Sequence, residues 1–160
     1  MTKRALPQFE KFIRYEPETG HFYWLVSGKK RMAGERADRP SPQGYRRVNI
    51  DYRGHSAHRI AWYLVKGVWP EFMVDHRNRD RSDNRWSNLR QATNSQNQAN
   101  RPARGSLPKG VTLIREGAFQ AQIKRGGKGY YLGLFDTAEA AHAAYVGAAQ
   151  KHFGEFSRAA

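Results

Sequence analysis

The 160-residue chain has no cysteine. Disulfides and thiolate zinc sites are therefore excluded, and any bound metal must be held by His, Asp, Glu or Asn; the composition is compatible with a reducing cytoplasm. Long apolar runs are also missing. No membrane-spanning helix is expected, and no secretory leader, since no apolar segment with a cleavage site opens the chain. Acidic residues are scarce: 14 Asp and Glu against 28 Lys and Arg give a net charge of +14 and a pI near 10.4. Such a surplus calls for a polyanionic partner, because each basic group brought to a phosphate releases condensed counterions. Nucleic acid fits that need better than an anionic membrane surface. Neither an internal repeat nor a low-complexity tract is present.

What the chain does contain is enough for packed cores: 39% hydrophobic residues, with four Trp, eight Tyr and eight Phe. The length allows one ordinary domain or two small ones. The turn Pro17-Glu18-Thr19-Gly20 leads into a strand over 21–26. A basic loop (Lys29, Lys30, Arg31, Arg36) precedes an alternating strand over 45–50. Arg53-Gly54 reads as a tight turn, and 58–65 as a short helix whose Ile60, Ala61, Leu64 and Val65 share a face, ended by Gly67 and Pro70. Leu89, Ala92 and Gln96 recur at helical spacing, so a helix is expected from Ser87 to about Ala99, with Asp83 and Ser87 as N-cap candidates. Residues 101–107, rich in Pro, Gly and charge, read as a linker. Beyond it, strands are expected over 110–113, 118–124 and 129–135. Phe119, Ala121 and Ile123 alternate there with Gln120, Gln122 and Lys124, giving an apolar and a polar sheet face. An Ala-rich helix follows, capped by Asp136 with Glu139 three residues on, and Gly154 lies past its end.

The chemistry concentrates in 74–100. Asp75 and His76 are followed by an arginine-rich loop and by Asn84, Asn88, Asn94 and Asn97. Phosphodiester hydrolysis needs an activated water, a base to take its proton and positive charge at the leaving oxygen. His76 has the intrinsic pKa for the base, while Asp75 and Asn97 offer oxygen donors that suit Mg²⁺ or Mn²⁺ better than zinc. On residue types alone, a surface Asp-His pair followed by Asn caps and turns stands beside the catalytic reading. His58 reads as a helix-start or packing histidine, and Asn84 and Asn94 as structural or phosphate-contacting.

The order HRIAWYL, VDH, DNRWSNLRQAT and NSQN, between His58 and Asn97, resembles the phage-type HNH homing endonucleases. That resemblance implies a ββα-metal hairpin and helix. His76 would be the general base, Asn88 would tie the loop across the hairpin, and Asp75 and Asn97 would bind one divalent ion, Mg²⁺ or Mn²⁺. The family's general pattern ends in His where Asn97 stands here, as in a phage subgroup. His58 would be structural within the motif, and Arg59, Arg77, Arg79, Arg81 and Arg85 would meet phosphates.

Residues 109–156, above all LGLFDTAEAAHAAY, resemble the plant ethylene-response-factor (Apetala-two type) DNA-binding domain. That family lays a three-stranded sheet in the major groove, backed by one helix. The resemblance implies Lys109, Thr112, Gln120, Gln122, Lys124, Tyr131 and Tyr145 as contacts, with core packing an equal reading for Tyr145. Arg115, Arg125 and Lys128 would reach phosphates. Thr112, Ile114, Glu116 and Tyr131 replace arginines and tryptophans of the plant pattern, so the plant target sequence does not carry over.

The expectation is thus an α+β chain. Residues 1–100 would form an HNH nuclease domain (core about 58–100, β-rich extension 1–57), joined by the linker 101–107 to a sheet-and-helix DNA-binding domain at 108–160. It would be a metal-dependent homing-type DNA endonuclease leaving 5′-phosphate and 3′-hydroxyl ends, acting in the cytoplasm of a bacterial host or phage-infected cell as a monomer or a DNA-induced dimer. The alternatives are a DNA-binding regulator on the same scaffold and, more weakly, an RNA-binding protein.

Overall fold

The computed structural model describes residues 6–103 and 105–157. Arg104, inside the expected linker, lies outside the described residues, as do 1–5 and 158–160. The chain is a mixed α and β protein with small antiparallel sheets and few helices, divided into two compact units between Gln91 and Ala92.

In the first unit, β1 (Ile13–Glu16) and β2 (His21–Trp24) form a hairpin across the expected Pro17–Gly20 turn. Then β3 (Asp38–Pro40), β4 (Arg46–Ile50) and β5 (Arg53–Ser56) make a three-stranded antiparallel sheet. The β4–β5 turn is at Asp51-Tyr52 rather than Arg53-Gly54; both residues have positive φ, and Arg53 already pairs with Ile50. Gly54 is a strand residue whose missing Cβ makes room for Arg47, whose Nη2 would lie 2.8 Å from one. Helix α1 (Ala57–Lys66) follows directly. It buries Ala57, Ile60 and Ala61 against the sheet and ends at Gly67, whose left-handed backbone (φ 71°) returns its N–H to Tyr63 O. Phe9, Ile13, Phe22, Val48, Ile50 and Ile60 are almost wholly buried, and each contributes about 1.5–3 kcal/mol. One buried carboxylate, Asp38, ties this region together by accepting from Arg36, Arg46 and the Phe22 N–H. Burial works to raise its pKa, and those donors pull it below the usual value.

β6 (Met73–His76) and β7 (Leu89–Ala92) form a second hairpin. Here the expected helix from Ser87 is corrected. Trp86–Asn88 is a single 3₁₀ turn, Leu89–Ala92 is a strand, and only Asn94–Asn100 is helical, as α2. Pairing with β6 overrides the helical spacing of Leu89 and Ala92. The true cap is Thr93, whose Oγ1 accepts from Gln96 N while the Gln96 side chain accepts from Thr93 N, a complete capping box. Asp83 is taken up instead by Arg85 and Asn78.

The second unit holds α2 and an antiparallel sheet in the order β10 (Lys128–Phe135), β9 (Ala118–Arg125), β8 (Val111–Arg115). Helix α3 (Ala138–Phe153) backs that sheet, presenting Ala141, Tyr145, Ala149 and Phe153 at four-residue spacing. Its cap is Thr137, which accepts from Ala140 N, rather than Asp136. The buried core joins Ala92, Ala99, Ile123, Tyr145, Ala149, Phe153 and Phe156. Tyr145 is therefore a core residue, 5% exposed, and not available to a ligand. The expected linker 101–107 lies inside this unit.

Candidate active site and nucleic-acid interface

The β6–β7 hairpin brings together buried polar groups that would be costly without partners. Asp75 and His76, at the end of β6, are 8% and 4% exposed. The Asp75 carboxylate accepts from Nε and Nη2 of Arg90 on β7, both at 3.2 Å, and Arg90 is itself buried. His76 Nε2 lies 3.1 Å from Asn84 Oδ1. Asn84 Nδ2 donates to Ser82 O, so its oxygen faces the imidazole and accepts from Nε2–H. That contact places the proton on Nε2 and the basic lone pair on Nδ1. Burial lowers the His76 pKa, with Asn84 and Asp75 pulling the other way, so the neutral form prevails at neutral pH.

Two further rings surround it. His58, on the first turn of α1, meets His76 edge to face with centroids 5.1 Å apart, and Tyr45 lies against both. Burial, then the charges of His76 and Arg59, push His58 down to about 3. Its buried Nδ1 has no hydrogen-bond partner.

The loop between β6 and β7 is stitched by its own side chains. Asn88 Oδ1 accepts from Asn78 N while its Nδ2 donates to Asp83 O, so Asn88 bonds to both ends of the loop. Arg85 grips Asp83 with Nε and Nη2, holding that carboxyl at about 2. From the N-terminal side the β1–β2 hairpin locks the same loop: Tyr15 OH donates to Asn84 O at 2.7 Å and Trp86 N to Pro17 O at 2.9 Å. Gly20 (φ 74°) sits so close that a Cβ would lie 2.4 Å from Arg85 N.

The arginines expected at phosphates have varied surroundings. Arg59 donates to Pro70 O and Phe72 O and lies over Trp69, bracing the end of α1. Arg81 donates to Gln43 O and lies over Tyr45. Arg79 has a left-handed backbone and donates its N–H to His76 O, and Arg77 is exposed.

In the second unit Asn97 lies on α2, half-buried. Lys109 Nζ donates to the carbonyls of Gln98, Ala99 and Arg101, closing the C-terminal end of that helix. On the open sheet face, Thr112 stands opposite Gln120, Gln120 opposite Leu134, and Gln122 opposite Tyr131. Lys124, Arg125, Lys128 and Tyr131 are exposed there and at the sheet's end, and Arg115 is exposed at the end of β8.

The roles of Tyr15, Gly20, Tyr45 and Arg90 are not among the expectations from sequence, and Asn84 is expected there only as a structural or phosphate-contacting residue. A charged residue between buried Leu89 and Ala92 was the available signal for Arg90. Tyr15 gave none, because its partner is 69 residues away.

Among the described residues no three His, Cys, Asp or Glu side chains gather as a metal cluster. Carboxylate and amide oxygens such as those of Asp75 and Asn97 are donors of the kind that Mg²⁺ takes, and that ion binds through one or two protein ligands and keeps several waters.

Residues 55–99 match the family model described as HNH endonuclease. The chain is also 33% identical over 112 residues to an uncharacterised HNH endonuclease of Acanthamoeba polyphaga mimivirus, over 69% of this chain and 59% of that relative. The chain thus spans about six-tenths of the length of that relative. Both comparisons support a nuclease. No solved structure matches the chain. No helix among the described residues is long and apolar enough to cross a membrane.

Proposed function

We propose that the chain is a metal-dependent DNA endonuclease of the homing type, with a ββα-metal site in 58–100. The observation that carries this reading is the buried, neutral His76, fixed at Nε2 by Asn84 beside the Asp75 carboxylate. His76 Nδ1 takes a proton from a water that attacks phosphorus. The bond to the 3′-oxygen breaks and that oxygen picks up a proton from solvent, leaving 5′-phosphate and 3′-hydroxyl ends. Asp75 and Asn97 are the proposed holders of one Mg²⁺ or Mn²⁺ ion, which would supply positive charge for the departing oxygen. Asn88 keeps the loop closed across the hairpin. The open face of β8–β10 is the proposed Apetala-two-like DNA-reading surface, through Thr112, Gln120, Gln122, Lys124 and Tyr131.

A second reading, a DNA-binding regulator on the same scaffold, has one observation in its favour: the Asp75 carboxylate accepts two hydrogen bonds from buried Arg90. Incubation with plasmid DNA carrying the gene's flanking sequence, with Mg²⁺ or Mn²⁺, separates the two. Cleavage abolished by EDTA and reduced at least about a hundredfold by His76→Ala is expected. Cleavage that survives His76→Ala removes His76 from its role, and DNA binding without any cleavage establishes the regulator.

A further inference from the structure

The outer face of the β3–β4–β5 sheet lies outside the site described above. Arg39 on β3 and Arg47 on β4 are direct cross-strand neighbours, both exposed. Like charges placed opposite one another destabilise a sheet. Neither arginine has an acidic partner among the described residues. The nearby acid, Asp38, points to the other face, where Arg36 and Arg46 occupy it. Arg47 is laid out along the sheet by its Nη2 bond to Gly54 O, over the space that Gly54 leaves. Exposed Asn49 shares this face.

At the end of the same hairpin stands Tyr52. Its φ is 61°, a conformation that a bulky L-residue adopts at a cost, and its side chain is fully exposed. Glycine would remove the strain, and a polar residue would remove the exposed ring. Positive φ at both turn residues suits a two-residue hairpin, but a bulky tyrosine is a costly way to supply it, and its ring makes no contact in the fold that would repay that cost. Arg53 follows it directly, and Asp51 is the single carboxylate in β4, β5 and their turn.

We infer that this face is a docking surface for the phosphate backbone of duplex DNA, with Arg39 and Arg47 meeting phosphates and Tyr52 packing against the duplex from the hairpin tip. The inference rests on the proposed DNA substrate and adds a contact surface made of residues outside both the matched segment 55–99 and the β8–β10 sheet. An aromatic group at a protruding tip beside basic residues is suited to lying on sugars or wedging at a base step, and a pair of arginines to a strand of phosphates.

Duplex DNA binding by the whole chain, measured over a range of salt concentrations, tests it. Arg39→Ala/Arg47→Ala should make the slope of log affinity against log salt shallower by about 1.8, the loss of two phosphate contacts. Tyr52→Gly should raise the midpoint of thermal unfolding while weakening DNA binding severalfold, a pairing that misfolding cannot produce. Unchanged affinity and slope in either variant overturns the surface while leaving the endonuclease reading intact. Failure of the unaltered chain to bind any duplex, or a preference for duplex RNA, sinks both.

Discussion

The β6–β7 hairpin and the β8–β10 sheet use polar side chains in opposite ways. In the hairpin Asp75, His76, Asn84, Asn88 and Arg90 are buried and each is fixed by named partners. In the sheet Lys124, Arg125, Lys128 and Tyr131 stand in solvent, and the polar contact across the face is a 3.5 Å approach of Gln122 to Thr112. A bond-breaking site needs groups whose protonation and direction are settled before substrate arrives, which takes burial and dense hydrogen bonding. A surface that follows a polymer gains from side chains that can still adjust. The contrast predicts that changes in the hairpin alter stability and turnover, whereas changes in the sheet alter affinity and its dependence on salt.

The largest effect should come from Arg90→Ala. It removes the guanidinium that compensates a buried carboxylate, a loss of about 3–5 kcal/mol. All four tryptophans lie in the first unit, so their fluorescence during urea unfolding reads this unit alone. Replacing both partners with apolar residues of similar volume should recover most of that loss. A shift below about 1 kcal/mol in Arg90→Ala would show the pair to be solvated, and the contrast with the sheet would collapse.

Next is Asn84→Ala, which takes the acceptor from His76 Nε2. Turnover should fall roughly tenfold to a hundredfold with KM little changed, and Asn84→Asp, which keeps an acceptor, should recover part of it. A variant that raises KM instead would move Asn84 from orienting the base to holding DNA.

How much of this was legible follows from the range of each interaction. The strands over 45–50, 118–124 and 129–135 and the helices at 58–65 and after 137 were readable, because alternation, small-residue spacing and Gly stops are local signals. The stretch 87–99 carries a misleading local signal: Leu89 and Ala92 satisfy a helical period, and only pairing with β6 makes them a strand. Asp75, His76 and Asn88 could be picked out through spaced motifs. Their supports could not, since Tyr15 and Gly20 reach Asn84 and Arg85 from more than sixty residues away. A carboxylate accepting from an arginine fifteen residues on leaves no periodic trace.

A third effect is smaller and depends on pH. Unfolded, His58 titrates near 6.5; folded, burial and its cationic neighbours hold it neutral down to about 3. Between those values the unfolded chain binds more protons, so His58's contribution to stability is full above pH 6.5. It is lost as pH falls toward 3, by up to about 1.4 kcal/mol per pH unit. His76, also lowered by burial, acts in the same direction. Asp83 adds its loss only below pH 3.8. Tryptophan-detected unfolding between pH 7 and 4.5 should therefore show a slope that flattens in His58→Phe. The β8–β10 sheet contains no histidine. A slope in the same range that persists unchanged in His58→Phe would assign it elsewhere.

The smallest effect sharpens the other side of the comparison. Lys124 is exposed on β9 opposite Gly129, with no bulky cross-strand neighbour to hold it. If the sheet reads DNA, Lys124→Ala removes one phosphate contact, and the slope of log affinity against log salt becomes shallower by about 0.9. Near physiological salt the affinity itself should fall only a few-fold, because a solvated lysine contributes less than a buried pair. Unfolding midpoints and turnover at saturating DNA should stay where they were, since this side chain is exposed. An altered turnover at saturation would mean that Lys124 takes part in the cleavage step, and the separation of a rigid cutting hairpin from an adjustable binding sheet would no longer hold.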